Sequence, residues 1–182
     1  LNWARVCKEV ASGKFDGAVG AGDDEIEGAV LPAETIGTML NTLYVRKGFD
    51  WKFTGLESLK TVKVGIIRDY TYDDEFDKYL LDKKSKNVQV MGGDDALEKN
   101  FKKLVKGKID VVIDDRSVLL LAINRLKLTE KVESAGHLGE PEPLYIAFSP
   151  KKEKSKEYAK ILSDGIKKMR ESGELKKLLD KY

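Results

Sequence analysis

The strongest constraint on the fold is a pattern that occurs twice. "VCKEVASGKFDGAV", residues 6–19, and "FKKLVKGKIDVVI", residues 101–113, follow one plan. An amphipathic helix stops at a glycine. Gly-Lys-apolar-Asp follows, and then an apolar strand. Gly13, Lys14, Phe15 and Asp16 match Gly107, Lys108, Ile109 and Asp110. Glycine suits the residue after a helix, where the chain turns through positive φ, so a shared helix end alone explains part of the match. The longer match is read as two lobes of similar architecture.

The rest of the chain alternates in the same way. Residues 3–11 predict a helix with Trp3, Val6, Cys7 and Val10 on one face. Strands are expected at "FDGAV", at 39–46, at 62–67, at "NVQV", at "IDVVI" and at "PLYIAFS". "RDYTYDDEFDKYLLDKK" predicts a helix with acids in its first turn and lysines in its last, which suits its dipole. Asp94 or Asp95 is expected to cap a helix whose apolar face is Leu97, Phe101, Leu104 and Val105. "SVLLLAINRL" predicts a mostly buried helix. From Ser155 the tail is helical, with Tyr158, Ile161, Leu162, Ile166 and Met169 on one face, and Gly173 breaks it. The class is α/β with largely parallel sheets. The first lobe opens on a helix with no strand before it, so its sheet is expected to be thin.

Composition excludes several function classes. Lysine and arginine number 33 against 31 acidic residues, a formal net charge of +2. That balance provides no field for nucleic acid or an acidic membrane. Cys7 stands alone, so no internal disulfide or metal cluster follows, and His137 is a single histidine in an expected loop. No apolar run is long enough for a membrane span, and no signal peptide is present. No cofactor motif occurs, and the phosphate-loop pattern is absent.

In open α/β sheets, ligands bind beyond the carboxyl ends of strands. Four stretches occupy such places: "GAGDD" (20–24), "RDYTY" (68–72), "MGGDD" (91–95) and "DDRS" (114–117). The amides and Thr71 hydroxyl of "RDYTY" could hold an anion, and Arg68 could grip a carboxylate in a bidentate pair. Thr71 or Asp73 could equally cap the helix. Tyr70 and Tyr72 either wall a pocket or pack on the surface. Asp114 and Asp115 could form an acid/base pair, but neighbours on a strand point opposite ways. Asp115 is the better candidate for holding a cationic group. Asp114 reads as a cap or a support.

The order of these pieces resembles the family 3 solute-binding proteins, the extracytoplasmic receptors of polar amino acid ABC importers. "WARVCKEVASGKFDGAV" is similar to their first-lobe helix and strand. "ESLKTVKVGIIRDYTY" and "ALEKNFKKLVKGKIDVVIDDRSV" are similar to second-lobe segments. "EPLYIAFSP" resembles the return crossover, and "LSDGIKKMRESGELKKLLDKY" the closing helices.

The resemblance implies a two-lobed type II periplasmic binding protein fold. Lobe I would comprise 1–46 and 144–182 and lack its N-terminal strand–helix–strand unit. Lobe II would comprise 47–143, with hinge strands near 42–47 and 143–148. It implies a non-enzymatic, periplasmic or cell-surface receptor. Its partners would be a small polar ligand and the importer's membrane subunits. Asp115 matches the family's ammonium-binding Asp, and Tyr70 and Thr71 match its carboxylate-binding turn. Gly28 stands where the family has a clamping Arg. The candidate ligand residues are therefore Asp115, Thr71, Tyr70, Arg68, Tyr72, Asp114, Gly22 and Asp23. The alternatives are a dehydratase-like enzyme on the same fold, using Asp114, Asp115 or His137, and the ligand-sensing domain of a signalling protein.

Overall fold

The computed structural model of the protein describes residues 3–81 and 87–179. The chain divides into two compact units, Leu1–Met39 with Pro141–Tyr182, and Leu40–Glu140.

The first unit contains α1 (Trp3–Ala11), β1 (Gly17–Ala21), β2 (Gly37–Met39), β8 (Glu142–Phe148), α5 (Ser155–Glu171) and α6 (Glu174–Leu179). Its sheet has three strands in the order β1-β8-β2, with both pairings antiparallel. Trp3, Val6, Cys7 and Val10 of α1 pack with Ala18, Ala21, Ile26 and Ala147, as the spacing of the apolar residues predicts. Along α5, Ile166 is buried, while Tyr158 and Ile161 of the expected apolar face are exposed.

The second unit contains β3 (Asn41–Arg46), a 3-10 turn at Leu56–Thr61, β4 (Val64–Ile67), α2 (Asp74–Leu81), β5 (Val88–Met91), α3 (Ala96–Val105), β6 (Val111–Asp115), α4 (Arg116–Arg125) and β7 (Val132–His137). The lysines expected to close α2, at 83 and 84, lie outside the described residues. Five strands run in the order β5-β4-β6-β3-β7. β4 pairs in parallel with β5 and β6, whereas β3 is antiparallel to β6 and β7. One sheet is therefore antiparallel and the other mixed, rather than both largely parallel. The strand expected at 39–46 breaks at Leu40, leaving Met39 in the three-stranded sheet and 41–46 in the five-stranded one. The boundaries of the units accordingly fall at 39/40 and 140/141, not at 46/47 and 143/144.

β6 lies at the centre of the sheet and is buried on both faces. Val111 and Ile113 pack among Leu43, Val45, Tyr72 and Phe76, and Val112 packs among Phe101, Leu104, Leu119 and Ile123. This two-sided burial is why "VVI" reads as one unbroken apolar run. Arg46 braces the join between α3 and β6. Its Nη1 donates to the Leu104 and Ile109 carbonyls at 3.1 and 2.8 Å, and Nη2 meets Asp110 Oδ1 at 3.2 Å.

Two expected helix features differ. Asp95 occupies the cap position of α3 but makes no side-chain cap bond; its carboxylate pairs with Lys99 at 2.7 Å. α4 buries Leu119, Ala122 and Ile123 but exposes Val118, Leu120 and Leu121, the last to 66%. Apolar residues run around this helix, and only one face meets the sheet.

Candidate functional site

The carboxyl ends of β4 and β6 carry most of the candidate residues, all within the 40–140 unit. β4 ends at Ile67, and Arg68 N–H still donates to the Met91 carbonyl at 2.9 Å. Gly92 in the adjoining loop gives the Arg68 guanidinium room. A Cβ there would sit 3.4 Å from its Cζ. The chain then turns through Asp69, which holds a positive φ of 62°. Aspartate tolerates that region better than most residues, and such local strain recurs where side chains must be aimed.

Tyr72 anchors this loop. Its hydroxyl accepts from Ile67 N–H at 2.8 Å, its carbonyl accepts from Asn41 Nδ2 at 2.5 Å, and its N–H donates to Asp77 Oδ2 at 3.0 Å. Its ring meets Phe76 edge-on at 5.6 Å, and only 4% of the residue is exposed. Burial raises its phenol well above the ordinary value. Tyr72 is therefore a core post rather than a pocket wall. Tyr70 leans on it with ring centroids 6.3 Å apart and stays 45% exposed. Thr71 is exposed too, and the cap of α2 is Asp73, whose Oδ1 accepts from Glu75 and Phe76 N–H.

Of the two adjacent aspartates, the one that caps the helix is Asp115 rather than the Asp114 read from the sequence. Asp115 ends β6 with φ −55° and ψ 140°, the extended backbone that a helix cap needs. Its Oδ1 accepts from Ser117 and Val118 N–H at 2.9 and 3.2 Å. Its Oδ2 accepts from Leu40 N–H at 3.1 Å. Asp115, not Asp114, is thus the helix cap, and it pins the start of the 40–140 unit.

Asp114 is only 4% exposed. Its Oδ1 accepts from Asp115 N–H at 2.8 Å. Its Oδ2 is buried and has no hydrogen-bond partner among the described residues. Burial pushes its carboxyl up to about 7; the Asp115 N–H opposes the shift and the Asp115 charge adds to it. Tyr70 feels the same carboxylate: burial, and then the charge of Asp114, raise its phenol.

Thr42 and His137, neither of them in the candidate set, share this end of the sheet. Thr42 is paired directly with Asp114 on one side and with His137 on the other. Directly paired residues present their side chains on one face, so Asp114, Thr42 and His137 form a row across three strands. His137 therefore ends a strand rather than sitting in a loop. It is exposed, with Nδ1 3.0 Å from the Gly139 carbonyl. No sequence signal marked the row, because strand pairing alone creates it.

Gly22 and Asp23 lie in the other unit. Gly22 N–H donates to Glu25 Oε2 at 2.8 Å, and Trp3 Nε1 donates to Glu25 Oε1 at 3.1 Å, so Glu25 ties this loop to α1. Asp23 is exposed. Gly28 turns through φ +70° in the same loop.

Neither a family model nor a curated protein sequence matches the chain. Solved structures do. An ancestral arginine-binding protein bound to arginine is 22% identical, with a TM-score of 0.74 over 100% of this chain and 77% of that one. An amino acid ABC transporter substrate-binding protein from Streptococcus pneumoniae, bound to L-arginine, is 22% identical, with a TM-score of 0.71 over 100% of this chain and 73% of that one. A histidine kinase sensor domain with similarity to periplasmic binding proteins is 16% identical, with a TM-score of 0.72 over 99% and 75%. No helix among the described residues is long and apolar enough to cross a membrane. The chain has the two-lobed type II periplasmic binding protein fold, which it shares with these neighbours.

Proposed function

We propose that the protein is an extracytoplasmic solute-binding protein that captures a small polar solute, an amino acid or a related amine, and delivers it to the membrane subunits of an ABC importer. The observation that carries this reading is the strand-end cluster of the 40–140 unit. A buried carboxylate with one unpartnered oxygen, Asp114, stands beside the partly exposed ring of Tyr70. A cationic or N–H-donating group complements such an oxygen. Arg68 and Thr71, at the same loop, are suited to a carboxylate. Asp115 fixes the loop through its cap and its bond to Leu40, with further lone pairs for a ligand amine, and Tyr72 holds the loop from beneath. Gly22 and Asp23 are proposed as contacts on the loop of their own unit. The role is binding rather than catalysis, which agrees with neighbours that bind amino acids.

The test is a thermal-shift screen of the full chain against amino acids, polyamines and small organic acids. A ligand at a hundredfold excess over its Kd stabilises the protein by about 2.7 kcal/mol. A hit that Arg68→Ala and Asp114→Ala both weaken supports the site. A screen without hits among amines and amino acids refutes the reading.

The sensor-domain neighbour favours a second reading, in which the same site reports a solute to a signalling protein. The two separate on output. Importer vesicles that take up labelled solute only with the protein present support transport. A solute-dependent change in kinase autophosphorylation supports sensing.

A further inference from the structure

Asp114 raises a question of charge balance. Its carboxyl is almost wholly withdrawn from water, and one of its oxygens has no partner among the described residues. Among the described residues, the elements around it bring no fixed cation to that oxygen. Its own strand adds Asp115, another anion. β3 presents Thr42 opposite, whose hydroxyl donates to the Leu40 carbonyl at 3.0 Å. β7 presents His137 one strand further along the row. The 68–72 loop presents the phenols of Tyr70 and Tyr72, and Arg68 lies against Gly92. Arg116, the first residue of α4, is exposed. An unpaired charge is not stable in such a place, so the group is either neutral or paired with a cation from outside the chain.

We propose that Asp114 carries a proton in the free protein and releases it when the ammonium or guanidinium group of a solute binds, so that capture is proton-linked. This inference rests on the solute-binding reading above and names the group that regulates it. The step balances simply. The O–H bond of the Asp114 carboxyl breaks, the proton passes to solvent, and the carboxylate accepts an N–H from the bound cation, whose own protonation is unchanged. The position of the carboxyl's titration, raised to about 7, places the exchange in a physiological range. Below that value the solute competes with a proton and binds more weakly. Above it the carboxylate is already free, and binding no longer depends on pH.

The experiment is titration calorimetry of the full chain with L-arginine, L-lysine and putrescine as probes, in buffers of different ionisation enthalpy. At about pH 6 binding should release most of one proton. Affinity should rise about thirtyfold between pH 5.5 and pH 8.5, the ratio expected for competition with a proton at a group titrating near neutrality. Asp114→Asn keeps an acceptor for Asp115 N–H, so it should fold, bind more weakly, and show neither proton release nor pH dependence. His137→Gln should leave the proton release in place. Carbon-13 NMR of the free protein gives a readout that needs no solute: the Asp114 carboxyl should titrate near neutrality, and should move to lower pH with a saturating probe.

Several outcomes overturn the proposal. One is binding with no proton release. Another is a pH dependence that survives in Asp114→Asn or vanishes in His137→Gln. A third is an Asp114 carboxyl that titrates below about pH 5 in the free protein. If none of the probes or amino acids binds at any pH, the solute-binding reading fails, and this inference fails with it. Binding without proton linkage removes this inference alone.

Discussion

At Gly13 and at Gly107 the chain leaves a helix in the same way. Gly13 N–H donates to the Val10 carbonyl and Lys14 N–H to that of Glu9; Gly107 N–H donates to Leu104 and Lys108 N–H to Lys103. Both glycines hold positive φ, 84° and 67°. The strands that follow fare differently. β1 lies at the edge of three strands, bulges at Gly20 and exposes Val19. β6 lies at the centre of five and is buried through Asp114. One local code thus serves an edge and a centre. The central placement withdraws Asp114 from water, whereas Gly20 and Ala21, at the end of β1, have nothing to ionise.

The largest test of that contrast uses pH. The Asp114 carboxyl sits at about 7 in the folded protein, against an ordinary value of 3.8. Between these values the folded state keeps a proton that the unfolded chain has released. The stability from this proton is complete below about pH 4 and is lost as pH rises towards 7. Across that range the loss is on the order of 4 kcal/mol. Asp114→Asn, neutral throughout, should lack this fall. Urea titrations at about pH 4.5 and pH 8, followed by Trp51 fluorescence, measure the difference between the two proteins. An identical pH dependence in both would show that Asp114 is not buried as a neutral acid.

The second test compares matched apolar positions. Ile109 is fully buried, whereas Phe15 keeps part of its surface exposed. Ile109→Ala should cost about 3 kcal/mol, within the range for emptying a closed core site. Phe15→Ala should cost clearly less despite removing more atoms. Equal losses in chemical denaturation would erase the distinction between edge and centre.

The third test compares two helix starts, each preceded by a pair of aspartates. Asp115→Ala removes a cap that accepts two N–H groups, and should cost about 1–2 kcal/mol. Asp95→Ala removes only an exposed ion pair with Lys99 and should fall within about 0.5 kcal/mol of the parent. A cost at Asp95 matching that at Asp115 would mean that α3 is capped by its side chain after all.

That third pair also shows how far the sequence could be read. "GGDDA" and "IDDRS" look alike as helix starts. Asp115 follows a strand, so its backbone is extended and its carboxylate can reach forward. Asp95 has φ −107° and ψ 20°, and its side chain makes no such bond. Strands with unbroken apolar runs, such as β4 and β6, were legible because both of their faces are buried. β2, with "GTM", and β7, with "VESAGH", were not, because an edge strand buries little and shows no run. That one of the two aspartates caps the helix was legible in the sequence, but which of them does so, and which is buried, depended on Leu40, Thr42 and His137. Those residues meet the pair only through strand pairing across long stretches of chain.

The smallest expected effect concerns the shared glycines. Alanine at Gly107 must adopt a left-handed backbone, which costs about 1 kcal/mol. Its nearest non-neighbouring atoms belong to Arg46, 3.9 Å from the added Cβ, so no clash is added. Alanine at Gly13 meets the same backbone penalty, and its Cβ would also stand 2.8 Å from the Cβ of Lys151. That contact lies at the base of one side chain and cannot be relieved by rotating its far end. Gly13→Ala should therefore be the more costly of the two, by a few tenths to about 1 kcal/mol. Trp3 fluorescence should follow the unfolding of Gly13→Ala and Trp51 fluorescence that of Gly107→Ala. The reverse order of cost would show that the helix ends are not equivalent as their hydrogen bonds indicate, and that the loop at Lys151 yields more readily than the packing around Arg46.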